Sequence, residues 1–248
     1  PFKNGEDNTV LDIQPVISTL AEANSDVGTY DITVAGAVDT NYEIDQSAKG
    51  TLTVEKKAAT VEIGNTTQTY NGGELLVSTT TSVNDLKVDV TYTLDGAVVA
   101  SPTNAGTYAV LATINDTNYS GTTNGTLKIE KADATVTLGS LTQTYTGSPL
   151  GASAVTDPVG LTVDFTYSVV DPTDAGTYSV TGAIDNVNYK GSATSNAFVI
   201  GKAALTAAAD NLTKVYGEAN PAFTIDYTGF VGGDGASDLD TAPVPTTN

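Results

Sequence analysis

The 248-residue chain contains no cysteine, histidine, methionine or tryptophan. Thiolates and imidazoles are the usual protein ligands of zinc, copper, haem iron and iron–sulfur clusters, so the sequence excludes the common forms of these sites. It also excludes Ser-His-Asp and Cys-His nucleophilic centres and histidine-based acid–base catalysis. No pair of carboxylates is marked as a glycosidase acid and its partner. We therefore predict that the chain is not an enzyme and holds no cofactor of these kinds.

Positive charge is also scarce. The chain has no arginine, and its 10 lysines stand against 29 aspartates and glutamates, which gives a net charge of -19 at pH 7. This charge repels phosphate backbones and anionic bilayers, so nucleic acid is not an expected partner. No apolar run approaches the roughly 18 residues that span a bilayer, so membrane insertion is not expected. The opening letters PFKNGEDNTV do not form a signal peptide, and we expect a segment from within a longer protein.

Threonine, serine, asparagine and glycine are abundant, and valine, isoleucine, leucine and tyrosine recur among them at regular intervals. This pattern favours strands and turns, and it supplies a core that disordered segments lack. In YAVLATI, the residues Tyr108, Val110, Ala112 and Ile114 share one face, the period of two of a half-buried antiparallel strand. YSVTGAI at 178–184 repeats it. Further strands are predicted at 59–63, 66–70, 86–94 and 125–130.

One phrase is written three times: DVGTYDITVAGAVDTNYEI at 26–44, TNAGTYAVLATINDTNYSG at 103–121 and TDAGTYSVTGAIDNVNYKG at 173–191. What recurs is Gly, Thr, Tyr, Asn and an apolar alternation, and no acid, base or nucleophile keeps a fixed place. Two further marks recur with it, a lysine that opens a strand and a tyrosine that follows it at a nearly constant spacing. These marks are Lys57, Lys131 and Lys202, and Tyr70, Tyr145 and Tyr216. Together they predict a repeat unit of about 70 to 75 residues.

The repeat marks divide the chain into four parts. Residues 58–131 and 132–202 are complete domains, 1–57 is the closing part of a second domain type, and 203–248 is the opening part of that type. The two ends resemble each other, because FKNGEDNTVLDIQPVIST from Phe2 aligns without a gap with FVGGDGASDLDTAPVPTT from Phe230. We expect a window on a longer array, in which the start of one copy completes the end of its neighbour.

Several short strands in each unit favour a small two-sheet sandwich. The predicted fold class is all-β, a linear array of tandem immunoglobulin-like β-sandwich domains, with small β-grasp-like sheets as the alternative. The Asp-x-Gly-x-Tyr pattern resembles the tyrosine corner of immunoglobulin-like domains, in which the hydroxyl bonds back to the preceding loop. We predict that its glycines adopt a conformation that a Cβ would resist. The residues concerned are Gly28, Tyr30, Gly106, Tyr108, Gly176 and Tyr178.

The combined motifs resemble a known family along essentially the whole chain. TQTYTG and PTDAGTYSVTGAIDNVNYKGSATSNAFVIGKA are similar to the MBG repeats of very large bacterial surface proteins. LTKVYGEANPAFTIDYTGFVGGDGASDLDTAP is similar to the YGX-type variant, with Tyr216 and Gly217 as its first two letters. The resemblance implies extracellular stalks or fibres, including the giant adhesins of gliding Bacteroidota. It supplies no catalytic residues and names no ligand.

Two kinds of polar site have alternative interpretations. Asp234, Asp238 and Asp240 could offer oxygen ligands to calcium, with Gly235 easing a tight turn, although solvated turn acids are commoner. Four Asn-x-Ser/Thr sequences could accept glycans, although chance suffices in a chain so rich in asparagine and threonine. These asparagines are Asn65, Asn118, Asn124 and Asn211.

The recurring lysines and tyrosines also have two interpretations each. Lys57, Lys131 and Lys202 could form Lys–Asn isopeptide crosslinks, or simply mark the solvated ends of strands, which is the commoner case. Tyr42, Tyr119 and Tyr189 could form an aromatic platform for sugars, or could pack at the core edge in every unit, which their strict recurrence favours.

The function expected from these features is that of a load-bearing spacer. We expect a structural stalk or filament segment of a large secreted bacterial cell-surface adhesin, which projects a distal binding region in adhesion or gliding motility. The alternative is an array of carbohydrate-binding modules attached to a secreted enzyme. Expected partners are neighbouring repeats of the same or an identical chain, end to end, and surface glycans. The expected location is the bacterial cell surface.

Overall fold

The computed structural model describes residues 2–246, and almost all of its regular structure is β-strand. The chain packs as two compact units, residues 1–68 with 72–129 and residues 69–71 with 130–248. The first unit contains the first partial domain and most of the first complete domain. The second unit contains the other complete domain and the last partial domain. The only helices in the described residues are two short 3-10 turns, η1 (Asn8–Val10) and η2 (Ala236–Asp238).

The first complete domain is a two-sheet sandwich. Its larger sheet has the strand order β6-β12-β10-β8-β9, and its smaller sheet is the antiparallel pair β5–β7. Ala59 and Val61 on the small-sheet side form one buried cluster with Ala112 and Ile114 on the large-sheet side. The strands are β4 Lys57–Ala58, β5 Val61–Gly64, β6 Thr67–Thr69, β7 Ser78–Thr81, β8 Val88–Leu94, β9 Ala97–Val99, β10 Gly106–Ile114, β11 Tyr119–Ser120 and β12 Thr122–Glu130.

Strand β10 shows why the sequence folds this way. Tyr108, Val110, Ala112 and Ile114 are all buried, and Leu111 between them is exposed, so the predicted alternation is confirmed. Each buried side chain points into the space between the sheets, because successive residues of a strand face opposite sides. The all-β sandwich class is thereby confirmed, and the β-grasp alternative is not.

The second complete domain repeats the sandwich with the sheets β15-β20-β18-β17 and β14–β16. Val180, Phe198 and Ile200 form its buried centre. The pairing of β18 with β20 shifts register between Tyr178 and Val180. A bulge at this point accommodates the extra residue of β20, and the two strands stay paired on both sides of it. The strands are β13 Ala132–Asp133, β14 Thr135–Gly139, β15 Thr142–Thr144, β16 Ser153–Asp157, β17 Val163–Tyr167, β18 Gly176–Ile184, β19 Tyr189–Lys190 and β20 Ser192–Gly201.

The two partial domains each contribute one sheet among the described residues. The first has the antiparallel sheet β1-β2-β3, and the last has the antiparallel pair β21–β22. These strands are β1 Val16–Thr19, β2 Gly28–Ala35, β3 Gly50–Val54, β21 Thr206–Ala209 and β22 Ile225–Thr228.

The two aligned ends of the sequence adopt the same local structure. Asn4 and Gly5 have left-handed φ angles of 55° and 79°, and the residues aligned with them, Gly232 and Gly233, have 66° and 93°. In both copies a 3-10 helix follows, η1 in one and η2 in the other, and each is capped by a leucine. The sequence alignment therefore has a structural counterpart, and the two ends are copies of one segment.

Candidate functional site: tyrosine corners and domain junctions

The three tyrosines of the repeated phrase bond back to the loops before their strands. The hydroxyls of Tyr30, Tyr108 and Tyr178 donate to the backbone carbonyls four residues earlier, at 2.7, 2.8 and 2.8 Å. The acceptors are Asp26, Asn104 and Asp174. This is the contact that the tyrosine-corner prediction requires. Each hydrogen bond holds the loop that precedes the strand against the tyrosine side chain.

The glycines two residues before these tyrosines are needed for a different reason than the one predicted. None of them has a positive φ, so the predicted special conformation is wrong. At Gly176 an added Cβ would lie 3.1 Å from the Tyr178 hydroxyl oxygen and 3.2 Å from its Cζ. The tyrosine ring lies over the glycine because residues two apart share one face of a strand. At Gly28 and Gly106 the ring is farther away, at 4.0 and 3.7 Å.

Replacing Tyr178 by phenylalanine should lower the free energy of unfolding of its domain by about 1 kcal/mol, the net worth of one hydrogen bond. The measurement is the unfolding midpoint of that domain in urea. Tyr216→Phe is the matched control, because that ring is fully exposed. Equal midpoints for the two variants would contradict a stabilising corner.

A second recurring turn explains the end of the repeated phrase. The side-chain oxygens of Asp39, Asp116 and Asn186 each accept hydrogen bonds from the backbone N–H groups two and three residues later, at 2.7 to 3.1 Å. Asp and Asn side chains favour such turns because they replace a backbone acceptor. The turn sets the position of the following asparagine and tyrosine in every copy.

In the first unit this turn presents Asn118 to the preceding domain. The Asn118 Nδ2 donates to Asp26 Oδ1 at 2.7 Å, and its Oδ1 accepts from the Val27 N–H at 2.8 Å. Asp26 is also the residue whose carbonyl accepts from Tyr30. One amide thus bridges the corner of the first domain to the turn of the next. Both polar atoms of the Asn118 amide are hydrogen-bonded within the protein. This favours the interpretation that the Asn-x-Ser sequence at this position arose by chance over the interpretation that it accepts a glycan.

The tyrosines that follow the turn are used in packing. Tyr119 packs against the buried cluster of its domain, and Tyr189 packs edge-to-face on Tyr70 with ring centroids 5.3 Å apart. Tyr42 packs on Phe2, and its hydroxyl donates to the Glu6 carboxylate, which raises the pKa of the phenol. These contacts favour the packing interpretation over a sugar platform.

In the second unit, the complete domain contacts the last domain through two backbone turns and through one tyrosine hydroxyl group. A Cβ on Gly147 would lie 2.3 Å from the Gly232 Cα, so the two turns are in backbone contact. The Asp234 side chain accepts a hydrogen bond from Tyr145, and this bond raises the pKa of the phenol. Asn4 stands where Gly232 stands in the other copy, so the first copy carries a side chain at this position.

Two of the three predicted calcium ligands accept hydrogen bonds from other groups. Asp234 accepts from Tyr145, and Asp238 Oδ2 accepts from the Gly235 N–H at 2.8 Å at the start of η2. Between residues 2 and 246, no three or more acidic side chains come together in an arrangement that could hold a metal ion. Asp234, Asp238 and Asp240 line one cavity without forming a group of that kind, and calcium binding at these residues stays a prediction.

Comparison with family models identifies the repeats. A model for the MBG domain matches residues 59–133 and 134–204, and a model for the MBG domain of YGX type matches 1–53 and 205–248. The chain belongs to the MBG domain family. The resemblance to MBG repeats and to their YGX-type variant is thereby confirmed.

Other comparisons add little beyond the MBG family. Comparison with curated proteins finds no significant match. Among solved structures, the crystal structure of Dscam1 isoform 9.44, N-terminal four Ig domains (with zinc), is similar to this chain with 12% identity and a TM-score of 0.30. That match covers 73% of this chain and 56% of the Dscam1 chain, little more than half of its length. No helix among the described residues has the length and apolar character needed to cross a bilayer.

The lysines at the MBG domain boundaries donate to backbone carbonyls. Lys131 Nζ donates to the Asn186 carbonyl at 2.6 Å, and Lys56 Nζ makes the equivalent bond to Asp116 at 2.6 Å. Lys56, rather than Lys57, is therefore the structural counterpart of Lys131. The predicted alignment is off by one residue here, because two adjacent lysines leave the register open in the sequence. These contacts favour strand-end lysines over isopeptide crosslinks.

Proposed function

We propose that this chain is a spacer segment of a secreted bacterial cell-surface adhesin or filament. Its MBG domains stack end to end, carry load and project a distal binding region, in adhesion or gliding motility. Repeated MBG and immunoglobulin-like modules of this kind support a structural role. MBG repeats are typically non-catalytic, in keeping with the absence of histidine and cysteine.

The Asn118 bridge is the observation that carries this proposal. A spacer holds its far end at a fixed distance only if its junctions resist bending, because flexible junctions would let each domain reorient. Strand β3 ends at Val54 and β4 begins at Lys57, so the covalent link between the first two domains is short. The Asn118 amide then adds one donor and one acceptor contact across the same junction, one of them to a carboxylate. Hydrogen bonds to charged groups are the stronger kind.

The composition suits a protein outside the cell. Thiols and thioethers are the side chains most readily oxidised, and this chain has neither. A net charge of -19 makes the surfaces of separate chains repel each other, which opposes their non-specific association. We place the chain at the bacterial surface on these grounds. Its partners there are neighbouring MBG domains, with surface glycans as candidate ligands of the distal region.

Replacing Asn118 by alanine should loosen the first junction by about 1 to 3 kcal/mol, the worth of hydrogen bonds that include a charged acceptor. Spin labels on introduced cysteines at the exposed positions Thr51 and Thr91 report on the two domains, since the chain has no native cysteine. The distribution of label-to-label distances should broaden in the variant.

The control for this experiment is Asn124→Ala, which removes an asparagine from the sheet of the same domain. It should leave the distance distribution unchanged. A distribution for Asn118→Ala that is as narrow as that of the control would sink the stiff-junction proposal.

A further inference from the structure

Two tyrosine rings of the second compact unit lie in contact. Tyr70 and Tyr189 pack edge-to-face, with ring centroids 5.3 Å apart and ring planes at 80°. Tyr70 belongs by sequence to the first complete MBG domain, but residues 69–71 pack with the second unit. Among the ring contacts described for residues 2–246, this one joins two phenols, whereas each of the others includes a phenylalanine.

Backbone hydrogen bonds to one short segment hold the two tyrosines in place. The Tyr70 N–H donates to the Glu130 carbonyl at 2.9 Å. Two residues farther along, the Ala132 N–H donates to the Asn188 carbonyl at 2.9 Å, and Tyr189 lies opposite Ala132 in the parallel pair β13–β19. Residues two apart in an extended chain lie about 6 to 7 Å apart, so both tyrosines start from neighbouring points. The ring contact therefore depends on the backbone and not only on two flexible side chains.

The two phenols are accessible to a small oxidant, and the composition makes them its main target. Tyr70 and Tyr189 are both partly exposed, and Tyr189 lines a surface cavity beside Lys190 and Gly191. Sulfur side chains are the usual first targets of oxidation, but the chain has no cysteine or methionine. It has no tryptophan or histidine either. The phenols are therefore the most readily oxidised side chains of this protein.

We propose that Tyr70 and Tyr189 are a site of oxidative dityrosine crosslinking within one chain. A one-electron oxidant removes one electron and one proton from each phenol. The two tyrosyl radicals form a carbon–carbon bond between ring positions ortho to the hydroxyls, and the hydrogen at each of these positions moves to oxygen, which restores two phenols. Hydrogen peroxide, used by a peroxidase, accepts the two electrons and two protons and becomes two water molecules. Partly exposed side chains change rotamer rapidly, so rings already in contact can reach this geometry.

The bond gives a chain without cysteine a covalent tie between residues that are distant in the sequence. It joins Tyr70 of the first complete MBG domain to Tyr189 of the second. A crosslink of this kind restricts the unfolded chain, as a disulfide does, so the crosslinked chain should unfold at a higher urea concentration. The inference adds a covalent means of fixing one junction to the spacer proposal. The Asn118 experiment reads a different junction, so either result can fail without the other.

Treatment of the full chain with a peroxidase and hydrogen peroxide tests the site. Dityrosine fluorescence should appear in the monomer band of a denaturing gel, with a yield that does not fall on dilution, because both rings belong to one chain. Digestion after lysine releases the peptide 58–87, whose only tyrosine is Tyr70, and the peptide 132–190, which carries Tyr189. Mass spectrometry should find these two peptides joined, with the loss of two hydrogen atoms.

Single hydroxyl deletions identify the two reacting rings. Tyr70→Phe and Tyr189→Phe should each abolish the joined peptides, while phenylalanine keeps the ring and its edge-to-face contact, so the far-UV spectrum should not change. Tyr216→Phe is the matched control, because it removes a fully exposed phenol, and it should give the parental yield. Dityrosine found only between chains, or an intrachain yield from Tyr70→Phe equal to that from Tyr216→Phe, overturns the proposal. An oxidised parent chain without dityrosine overturns it as well.

Discussion

Replacing Gly191 by alanine should lower the free energy of unfolding of its MBG domain by about 3 kcal/mol, the upper part of the range for overpacked sites. An added Cβ would lie 2.1 Å from the Ala134 carbonyl oxygen, far inside van der Waals contact. The backbone has no room to retreat, because the Gly191 carbonyl accepts from the Ile184 N–H at 2.8 Å. The neighbouring Lys190 carbonyl accepts from the Ala134 N–H at 2.9 Å. Relief of the clash therefore breaks at least one of these bonds.

Gly121 is the equivalent residue in the other complete domain, where an added Cβ would lie 2.0 Å from the Ala59 carbonyl oxygen. Its alanine variant should show the same loss. The measurement is hydrogen exchange of β10 and β18 in each variant, which follows each domain separately. Gly201→Ala is the control, because its nearest non-neighbour atom would be 3.6 Å from the new Cβ. If Gly121→Ala and Gly191→Ala exchange no faster than Gly201→Ala, the close approach has been misjudged.

Replacing Phe198 by alanine should cost about 3 to 5 kcal/mol, the range for truncating a buried aromatic ring. The ring is fully buried and contacts the rings of Tyr167 and Tyr178, with centroids 5.5 and 6.4 Å away. Removing it leaves a cavity at the centre of the cluster, where Phe198 packs with Val180 and Ile200. The loss comes from the apolar contacts that the cavity forfeits and from the transfer of the ring.

The matched control is Phe223→Ala, in which the ring is 36% exposed and lies between β21 and β22 in the sequence. It should cost less than about 1 kcal/mol, since surface truncations have small effects. Urea unfolding followed by the tyrosine signals of the second unit measures both variants. A Phe198→Ala midpoint no lower than that of Phe223→Ala would mean that the ring is not the centre of this core.

Local patterns in the sequence were enough to predict the architecture. The alternation from Tyr108 to Ile114 predicts a half-buried strand, and the structure buries those residues as a set. The gapless alignment of the segments that begin at Phe2 and Phe230 predicts two copies of one segment, and both copies adopt the same left-handed turn and short helix. Such features are predictable because strand faces, turns and caps depend on residues a few positions apart.

Contacts between distant segments were decided only by the packing of the chain. The repeated phrase shows Gly121 and Gly191 as recurring glycines, but only the folded chain places a carbonyl 2.0 to 2.1 Å from their missing Cβ atoms. The Asn118 amide finds its partners 91 and 92 residues away, which no local pattern encodes. Asp234 is a candidate calcium ligand in the sequence, yet its carboxylate accepts a hydrogen bond from Tyr145, which lies far away in the chain. Short-range periodicity was therefore sufficient for the strands, turns and repeats, whereas the junction contacts and the roles of single glycines and acids depend on the approach of segments far apart in the chain.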